Sequence, residues 1–362
     1  MEPLTVLALN CGSSSLKFGL YASTGSATRL LWEGEAEEIG SARGTLWLAQ
    51  NNERTGQQLC FESHTAAFEH ITRNMPCAPH AVGHRFVHGG LAVRDHSLVT
   101  NALVEQLRSA AAFAPLHVPT ALAVLEAARQ KMPAAPQAVC LDTAFHRSMP
   151  DVSRTFALPE DIRRLGVERF GFHGLSLESI LTQLNPIPRR LIVAHLGNGC
   201  SVTAIQDGIS VDTSMGLTPT GGVMMGTRCG DLDPGVMIYL LRNGSATAES
   251  LEELFDKKSG LAGVSGVSSD VRQLLSVRET NEKADLALRM FSYRIRKAIA
   301  AMAAALGGVD LVVFTGGIGE HAAKLRDEIC VGLQFLGEFA IRILPAREDL
   351  QIASITARLA RS

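Results

Sequence analysis

Aromatic residues are scarce in this 362-residue chain, at 5%, and no Lys/Arg run accompanies them. With a formal net charge of −2, the chain lacks the basic stripe and stacking platforms that mark a nucleic-acid binder, so no nucleic-acid partner is expected. Long apolar runs are lacking too. The longest, Ala298–Leu306, is too short to span a bilayer. Met1-Glu2-Pro3-Leu4 lacks the basic start and apolar stretch of a signal peptide, so a cytoplasmic protein with no membrane partner is expected. The seven cysteines are scattered and form no C-x-x-C pair, which reads as reduced thiols. Three nucleotide signatures are also absent: there is no P-loop G-x-x-x-x-G-K-[ST], no protein-kinase H-R-D/D-F-G set and no G-x-G-x-x-G after a strand.

What is present points to two lobes. The length exceeds the range in which one hydrophobic core keeps growing, and 46% apolar residues suit a packed enzyme. Thr5–Asn10 is a short strand-forming run that ends in Asn10-Cys11-Gly12-Ser13-Ser14-Ser15, after which Leu16–Tyr21 alternates again. The pattern returns in the second half, where Arg190–His195 leads into Leu196-Gly197-Asn198-Gly199-Cys200-Ser201 and then Val202–Gln206. A helical stretch, Pro119–Met132, precedes the strand-like Gln137–Phe145; likewise Lys283–Leu306 precedes Val309–Thr315. Any α/β chain alternates helices and strands, but paired donor-rich hairpin loops are less common. The expectation is an α/β protein with two duplicated lobes facing each other across a central cleft. The first lobe would span residues 1–146, completed by a C-terminal helix over 349–362; the second would span 147–348.

His80, His84 and His88 are spaced four apart, as a helical metal site would require. Ala81–His88 runs into Gly89-Gly90 and reads as a strand instead, with Arg85 and Val87 on the face opposite His84, Phe86 and His88. Histidines satisfied within the fold are therefore expected there.

The glycine-rich loops carry the first chemistry. A nucleotide triphosphate needs many short donors aimed at one place; glycine permits close backbone approach, and Ser and Asn add side-chain donors. Gly12–Ser15 and Gly197–Ser201 both supply these, and Lys17 could neutralise phosphate charge. A third loop, Gly316-Gly317-Ile318-Gly319-Glu320, follows an apolar strand and opens a helix, whose free N–H groups suit an anion. Arg85 and Arg228 are each flanked by glycines and small residues, where a guanidinium fork can reach a carboxylate or phosphate. His173, in Phe170-Gly171-Phe172-His173-Gly174, is framed in the same way. Asp142 ends the run Val139-Cys140-Leu141, at a strand end, where function often sits in α/β folds. Phosphoryl transfer asks mainly for positioning and charge neutralisation, which such residues provide.

Read in order, these segments resemble the acetate kinase family. The resemblance runs from residue 4 to about 356 and rests on Leu9-Asn10-Cys11-Gly12-Ser13-Ser14-Ser15-Leu16-Lys17, Gly83–Gly90, Pro115-Leu116-His117, Asp142-Thr143-Ala144-Phe145-His146, Gly171–Gly174, His195–Gly199, Gly226–Pro234, Ser269-Asp270-Val271-Arg272 and Gly316–Glu320. It implies two duplicated actin-like (ribonuclease H-like) ATPase lobes, a homodimer, and reversible transfer of a phosphoryl group from MgATP to acetate. By the same resemblance, Asn10 and Glu348 would support Mg²⁺, and Lys17 would help hold ATP. Arg85 would bind the carboxylate of the small-molecule substrate beside His117, with Val87, Leu116, Phe172 and Pro219 forming an acyl pocket. Asp142, His173 and Arg228 would be the catalytic set. His195, Leu196, Gly197, Asn198 and Gly199 would cradle the phosphates, while Asp270, Val271, Arg272, Gly317, Ile318, Gly319, Glu320 and His321 would hold adenosine.

The chain departs from the family pattern at Phe86, Val118, Thr220-Gly221, Ser176-Leu177 and His321. The stretch between Leu336-Gly337 and Ile341–Pro345 is short, and Pro345-Ala346-Arg347-Glu348-Asp349 stands where the family has Pro-Thr-Asn-Glu-Glu. Two other readings remain in view: a kinase for propionate or another short-chain acid, and an ATP-binding switch without catalysis.

Overall fold

The first strand shows how its own alternation prepares two surfaces. β1 (Leu4–Cys11) and β2 (Leu16–Ser23) pair antiparallel through the Gly12–Ser15 turn, closed by the Gly12 N–H donating to the Ser15 carbonyl at 2.8 Å. Val6, Ala8 and Asn10 point to one face and Leu7 and Leu9 to the other, because strand side chains alternate. The computed structural model describes residues 3–25, 27–51, 53–115 and 117–362.

The chain divides into two compact units. The first comprises Met1–Ala144, Gly174–Ser179 and Arg347–Ser362, and the second Phe145–His173 and Ile180–Ala346. In the first, the hairpin is extended by β3 (Thr28–Glu37), β4 (Thr45–Gln50) and β5 (Glu53–Gln58) on one side. On the other side lie β6 (Ala81–Phe86), β8 (Gln137–Leu141) and the short β7 (Ser97–Leu98), giving the order β5-β4-β3-β2-β1-β6-β8-β7. The second unit holds β9 (Arg190–Leu196), β10 (Cys200–Gln206), β11 (Ile209–Thr213), β12 (Leu311–Thr315) and β13 (Ala340–Ile343) in the order β11-β10-β9-β12-β13.

The two sheets share one topology. In β3-β2-β1-β6-β8 and in β11-β10-β9-β12-β13, three antiparallel strands are followed by two parallel ones. The paired loops of the sequence are therefore the β1–β2 and β9–β10 turns, at equivalent places in the two sheets. Two strands are shorter than expected. β6 stops at Phe86, because Val87–Gly90 turns away: Gly90 adopts φ +67° and its N–H donates to His88 Nδ1 at 2.8 Å. β8 stops at Leu141, and a 3₁₀ turn over Ala144–Ser148 takes the place of further strand.

The helix Glu348–Arg361 covers one face of the first sheet. Its buried positions Asp349, Ile352, Ala353, Ile355, Thr356 and Ala357 make one broad face, with Asp349, Ile352, Ala353 and Thr356 spaced i, i+3, i+4 and i+7 along its middle. Ile352, Ala353 and Ala357 pack in one cluster with Val6, Ala8, Ala81 and Cys140. Burying an isoleucine such as Ile352 contributes roughly 1.5–3 kcal/mol. Gly83 makes the close approach possible, since a Cβ there would stand 2.1 Å from Thr356 Oγ1. The second unit is built on the 25-residue helix Glu282–Leu306, capped by the Asn281 side chain and ended by Gly307 at φ +67°.

His84 lies on the sheet face opposite Gly83, fully buried. Its Nε2 lies 2.7 Å from Gln137 Oε1, an acceptor, so Nε2 carries the proton; Nδ1 is buried with no hydrogen-bond partner. A second proton would put an uncompensated charge on Nδ1, and burial accordingly lowers the His84 pKa to about 4. The unfolded chain therefore takes up this proton first as pH falls. The contribution of His84 is intact above pH ~6.5 and declines towards pH 4, by about 3 kcal/mol at pH 4. Urea unfolding at pH 7 and pH 4.5 should show a smaller pH-dependent loss in His84→Gln than in the parent chain. Equal losses would remove His84 as the source.

Candidate active site

In the first unit, four strand ends deliver polar side chains to the face that carries the C-terminal helix. Asn10 and Lys17 are register partners across β1 and β2, so their side chains share a face. Arg85 follows Gly83 by two residues on β6 and points the same way. Asp142 directly follows β8, its N–H donating to the Phe86 carbonyl at 2.9 Å.

These side chains form a continuous hydrogen-bonded chain. Lys17 Nζ lies 3.0 Å from Asp349 Oδ2. Asn10 Nδ2 donates to Asp349 Oδ1 at 3.3 Å, and Arg85 Nη1 donates to Asn10 Oδ1 at 2.8 Å. Arg85 Nε reaches both Asp142 oxygens at 3.1 Å, and Nη2 donates to Oδ2 at 2.5 Å. Three of the five guanidinium N–H groups are engaged, which leaves one on each Nη for a further acceptor. That is the spacing of a carboxylate or a phosphate edge. Burial opposes charge on Arg85, but Asp142, followed by Glu348 and Asp349, outweighs it and holds the guanidinium above its ordinary pKa. Burial raises the Asp142 carboxyl against the pull of Arg85. The Lys17 ammonium is raised chiefly by Asp349.

Asp349 was not among the residues singled out by the sequence; Glu348 was. Glu348 is half-buried, with its charge felt at both Arg85 and Asp142, whereas Asp349 is the buried carboxylate that grips Lys17 and Asn10. The signal was available, since Asp349 is in phase with Ile352, Ala353 and Thr356 along the middle of the buried face, whereas Glu348 stands at its edge, in line with Ile352 and Ile355. Val87 is buried just beyond β6, and His117 stands at the N-terminal boundary position of helix Val118–Lys131. Leu116 lies outside the described residues.

In the second unit, the β9–β10 turn is the focus. The Gly197 N–H donates to the Gly199 carbonyl at 3.0 Å, and His195 and Ser201 are register partners across the hairpin. His173 stacks on His195 with ring centroids 4.1 Å apart, and its Nδ1 lies 3.0 Å from Ser201 Oγ. His173 adopts φ +61°, a left-handed conformation that non-glycine residues avoid except where surroundings impose it. The Gly199 position is tight: a Cβ there would stand 3.1 Å from His173 Nε2 and 3.3 Å from Arg228 Nη1, so these side chains would have to give by a few tenths of an ångström. Both side chains thus come up against the turn. Arg228 Nη1 also donates to the Pro219 carbonyl at 3.3 Å. Phe172 is buried, and its carbonyl lies 2.9 Å from His146 Nε2. Leu196 is buried at the end of β9.

The remaining expected nucleotide residues serve local structure in ways the sequence did not indicate. Asp270 caps helix Val271–Val277, accepting from the Arg272 N–H at 2.8 Å, and pairs with the exposed Arg272 side chain at 2.8 Å. Val271 is buried. Gly316–His321 is a short helix rather than an open loop. Glu320 Oε1 accepts from the N–H groups of Gly316 at 3.0 Å and Ala346 at 3.1 Å, tying that helix to the segment after β13. Gly317 and His321 are exposed, Gly319 is buried, and Ile318 is half-buried. Thr220, in the departing Thr220-Gly221 pair, donates its hydroxyl to Asp256.

Among the described residues, no helix is long and apolar enough to cross a membrane. A family model described as the acetokinase family matches residues 5–350. The acetate kinase of Phocaeicola vulgatus is 38% identical, with 98% of each chain covered. Among solved structures, the acetate kinase of Porphyromonas gingivalis superposes with a TM-score of 0.87 at 35% identity, covering 98% of this chain and 99% of its own. A propionate kinase from Francisella tularensis superposes with a TM-score of 0.91 at 33% identity, covering 99% of this chain and all of its own.

Proposed function

The chain belongs to the acetokinase family, and from that premise we propose that it moves the γ-phosphoryl group of MgATP to acetate, giving acetyl phosphate and ADP, and runs in reverse. The observation that carries the reading is the Arg85 fork, fixed by Asp142 and Asn10 with one N–H left on each Nη. Acetate is ionised near neutral pH, so no base is needed to activate it. Its oxygen forms the new bond to the γ-phosphorus as the bond to the β,γ-bridging oxygen breaks, and ADP leaves with that electron pair. Asp142, whose carboxylate is taken up by Arg85, orients the substrate-binding arginine. Arg228 and His173, drawn to the edge of the Gly197–Gly199 turn, stabilise charge on the phosphoryl oxygens in flight. The turn itself and Lys17 hold phosphates. Asp270–Arg272 and Gly317–His321 take adenosine.

Mg²⁺ fits the oxygen donors of the first unit. Lys17 and Arg85 face four carboxylates, Asp142, Glu348, Asp349 and, at Lys17, Glu35, so the cluster holds an excess of negative charge. Among the described residues, no group of three or more His, Cys, Asp or Glu side chains is arranged as a metal cage. That suits an ion that is usually held by one or two carboxylates plus substrate phosphates. Asn10 and Glu348 would hold it, and when bound it would neutralise phosphate charge.

We also propose a cytoplasmic homodimer. Cys11, Cys140 and Cys200 are buried free thiols. Helix Pro234–Arg242 leaves Met237, Ile238, Tyr239 and Leu241 between 39% and 67% exposed, an apolar patch that a second copy would cover. Light scattering after size exclusion should return twice the chain mass, and a monomer would overturn the assignment.

Trapping acyl phosphate with hydroxylamine tests the activity. Acetate should support ATP-dependent hydroxamate formation with the highest kcat/KM in a series with propionate and butyrate. A propionate preference would move the substrate by one methylene, a discrimination of only about 1–3 kcal/mol. No acid-dependent product with any of them would overturn the reading.

A further inference from the structure

We propose that Asp349 is a positioning residue that governs both ends of the first unit's polar chain, masking the Lys17 charge until phosphate arrives and holding Asn10 so that it aims Arg85. This deepens the reading of the preceding subsection and rests on it. Asp349 is 6% exposed at the first turn of helix Glu348–Arg361, with each carboxylate oxygen committed to a different strand: Oδ2 to Lys17 on β2 and Oδ1 to Asn10 on β1. The Asn10 amide is then oriented. Its NH₂ donates to Asp349, which turns its carbonyl oxygen towards Arg85 Nη1 at 2.8 Å. Were the amide reversed, two donors would meet at Arg85. The orientation of the carboxylate-binding guanidinium thus depends on an acceptor delivered from the last helix of the chain.

At the other end the effect is electrostatic. The Lys17 side chain is 42% exposed, so an incoming phosphate can reach its ammonium, whereas the Asp349 side chain is 7% exposed and cannot follow it into solvent. A phosphate that takes up a remaining Lys17 N–H shares the ammonium with Asp349, and the fixed Asp349 charge beside it repels the polyanion. Binding at Lys17 therefore works against Asp349, and through Asn10 the same residue sets Arg85. The two ligands meet one shared, buried group.

Two substitutions separate the roles. Asp349→Asn keeps an acceptor for Asn10 but removes the charge; Asp349→Leu removes both. The probe for Lys17 is ADP without metal, titrated by calorimetry in the absence of any acid. Asp349→Asn should bind it about three- to tenfold more tightly than the parent chain, a gain that shrinks with added salt and is absent when Lys17→Met is added. The acetate KM of Asp349→Asn should stay within about twofold, whereas that of Asp349→Leu should rise about tenfold or more. A residue that merely supported folding would weaken both ligands together in both variants. Unchanged or weaker ADP binding in Asp349→Asn overturns the masking role, even if Asp349→Leu fails to fold. An unchanged acetate KM in a folded Asp349→Leu overturns the control of Arg85. The ADP cycle needs no turnover, so absence of kinase activity in the parent chain would sink the functional reading and leave the coupling of Asp349 to Lys17 measured.

Discussion

An Arg228→Ala variant is expected to lose about 10³–10⁵ in kcat while its KM for ATP stays within about threefold. The asymmetry follows from where the guanidinium sits. It approaches the Gly197–Gly199 turn so closely that a single Cβ on Gly199 would stand 3.3 Å from it, and it donates to the Pro219 carbonyl at 3.3 Å. A charge placed beside the phosphate turn acts most strongly when the transferring group spreads its own charge over three oxygens. The fold should tolerate the change, because Arg228 is half-exposed and lies outside the buried core. Steady-state kinetics with ATP varied at saturating acetate make the comparison. Retention of kcat within tenfold would remove Arg228 from the transition state.

Arg85 is expected to behave differently, because its loss harms the protein as well as the reaction. Asp142 is 1% exposed and takes two-pronged contact from Arg85. Arg85→Met should therefore destabilise the first unit by about 3–5 kcal/mol, as an ion pair broken inside a protein strands its remaining charge. Replacing both partners, as in Arg85→Met with Asp142→Leu, should recover most of that stability, since well-packed apolar groups often match a buried pair. Neither variant should be saturated by acetate at concentrations that saturate the parent chain. Urea midpoints of the two variants and the parent decide the point. A double variant no more stable than Arg85→Met would show that Asp142 is not what Arg85 neutralises.

Much of this site could be read along the chain. The two Gly/Asn/Ser turns follow recognisable strands, and Asp142 ends an apolar run, so local pattern sufficed to place them. What local pattern could not convey was partnership. Arg85 and Asp142 are 57 residues apart, and Asn10 and Asp349 are 339 apart. Nothing in either neighbourhood specifies that they meet; the parallel β1-β6-β8 order and the seating of the last helix on Gly83 do that. The choice of Glu348 over Asp349 shows the difference. Family pattern favoured the first carboxylate, whereas helical phase selects the second as the buried one. The left-handed backbone at His173 was likewise illegible, because it is imposed by packing around the turn and a histidine does not announce it. The residues proposed to hold adenosine were legible as turns and helix starts, but their side chains also cap and brace those helices, a use that spacing alone does not reveal.

The last helix also sets an order of assembly. A chain leaves the ribosome from its first residue, and domains ordinarily fold in that sequence. Here the strands β1, β2, β6 and β8 emerge early, yet the stripe that covers Val6, Ala8 and Ala81 is not synthesised until Ile352, Ala353 and Ala357 appear. The earlier-made unit must wait, partly uncovered, until Ile352–Ala357 are made, by which time the residues of Ile180–Ala346 are already complete. Newborn chains that stall before Glu348–Arg361 would display an open sheet face lacking Asp349, and quality control would meet them as unfinished proteins rather than as weak enzymes.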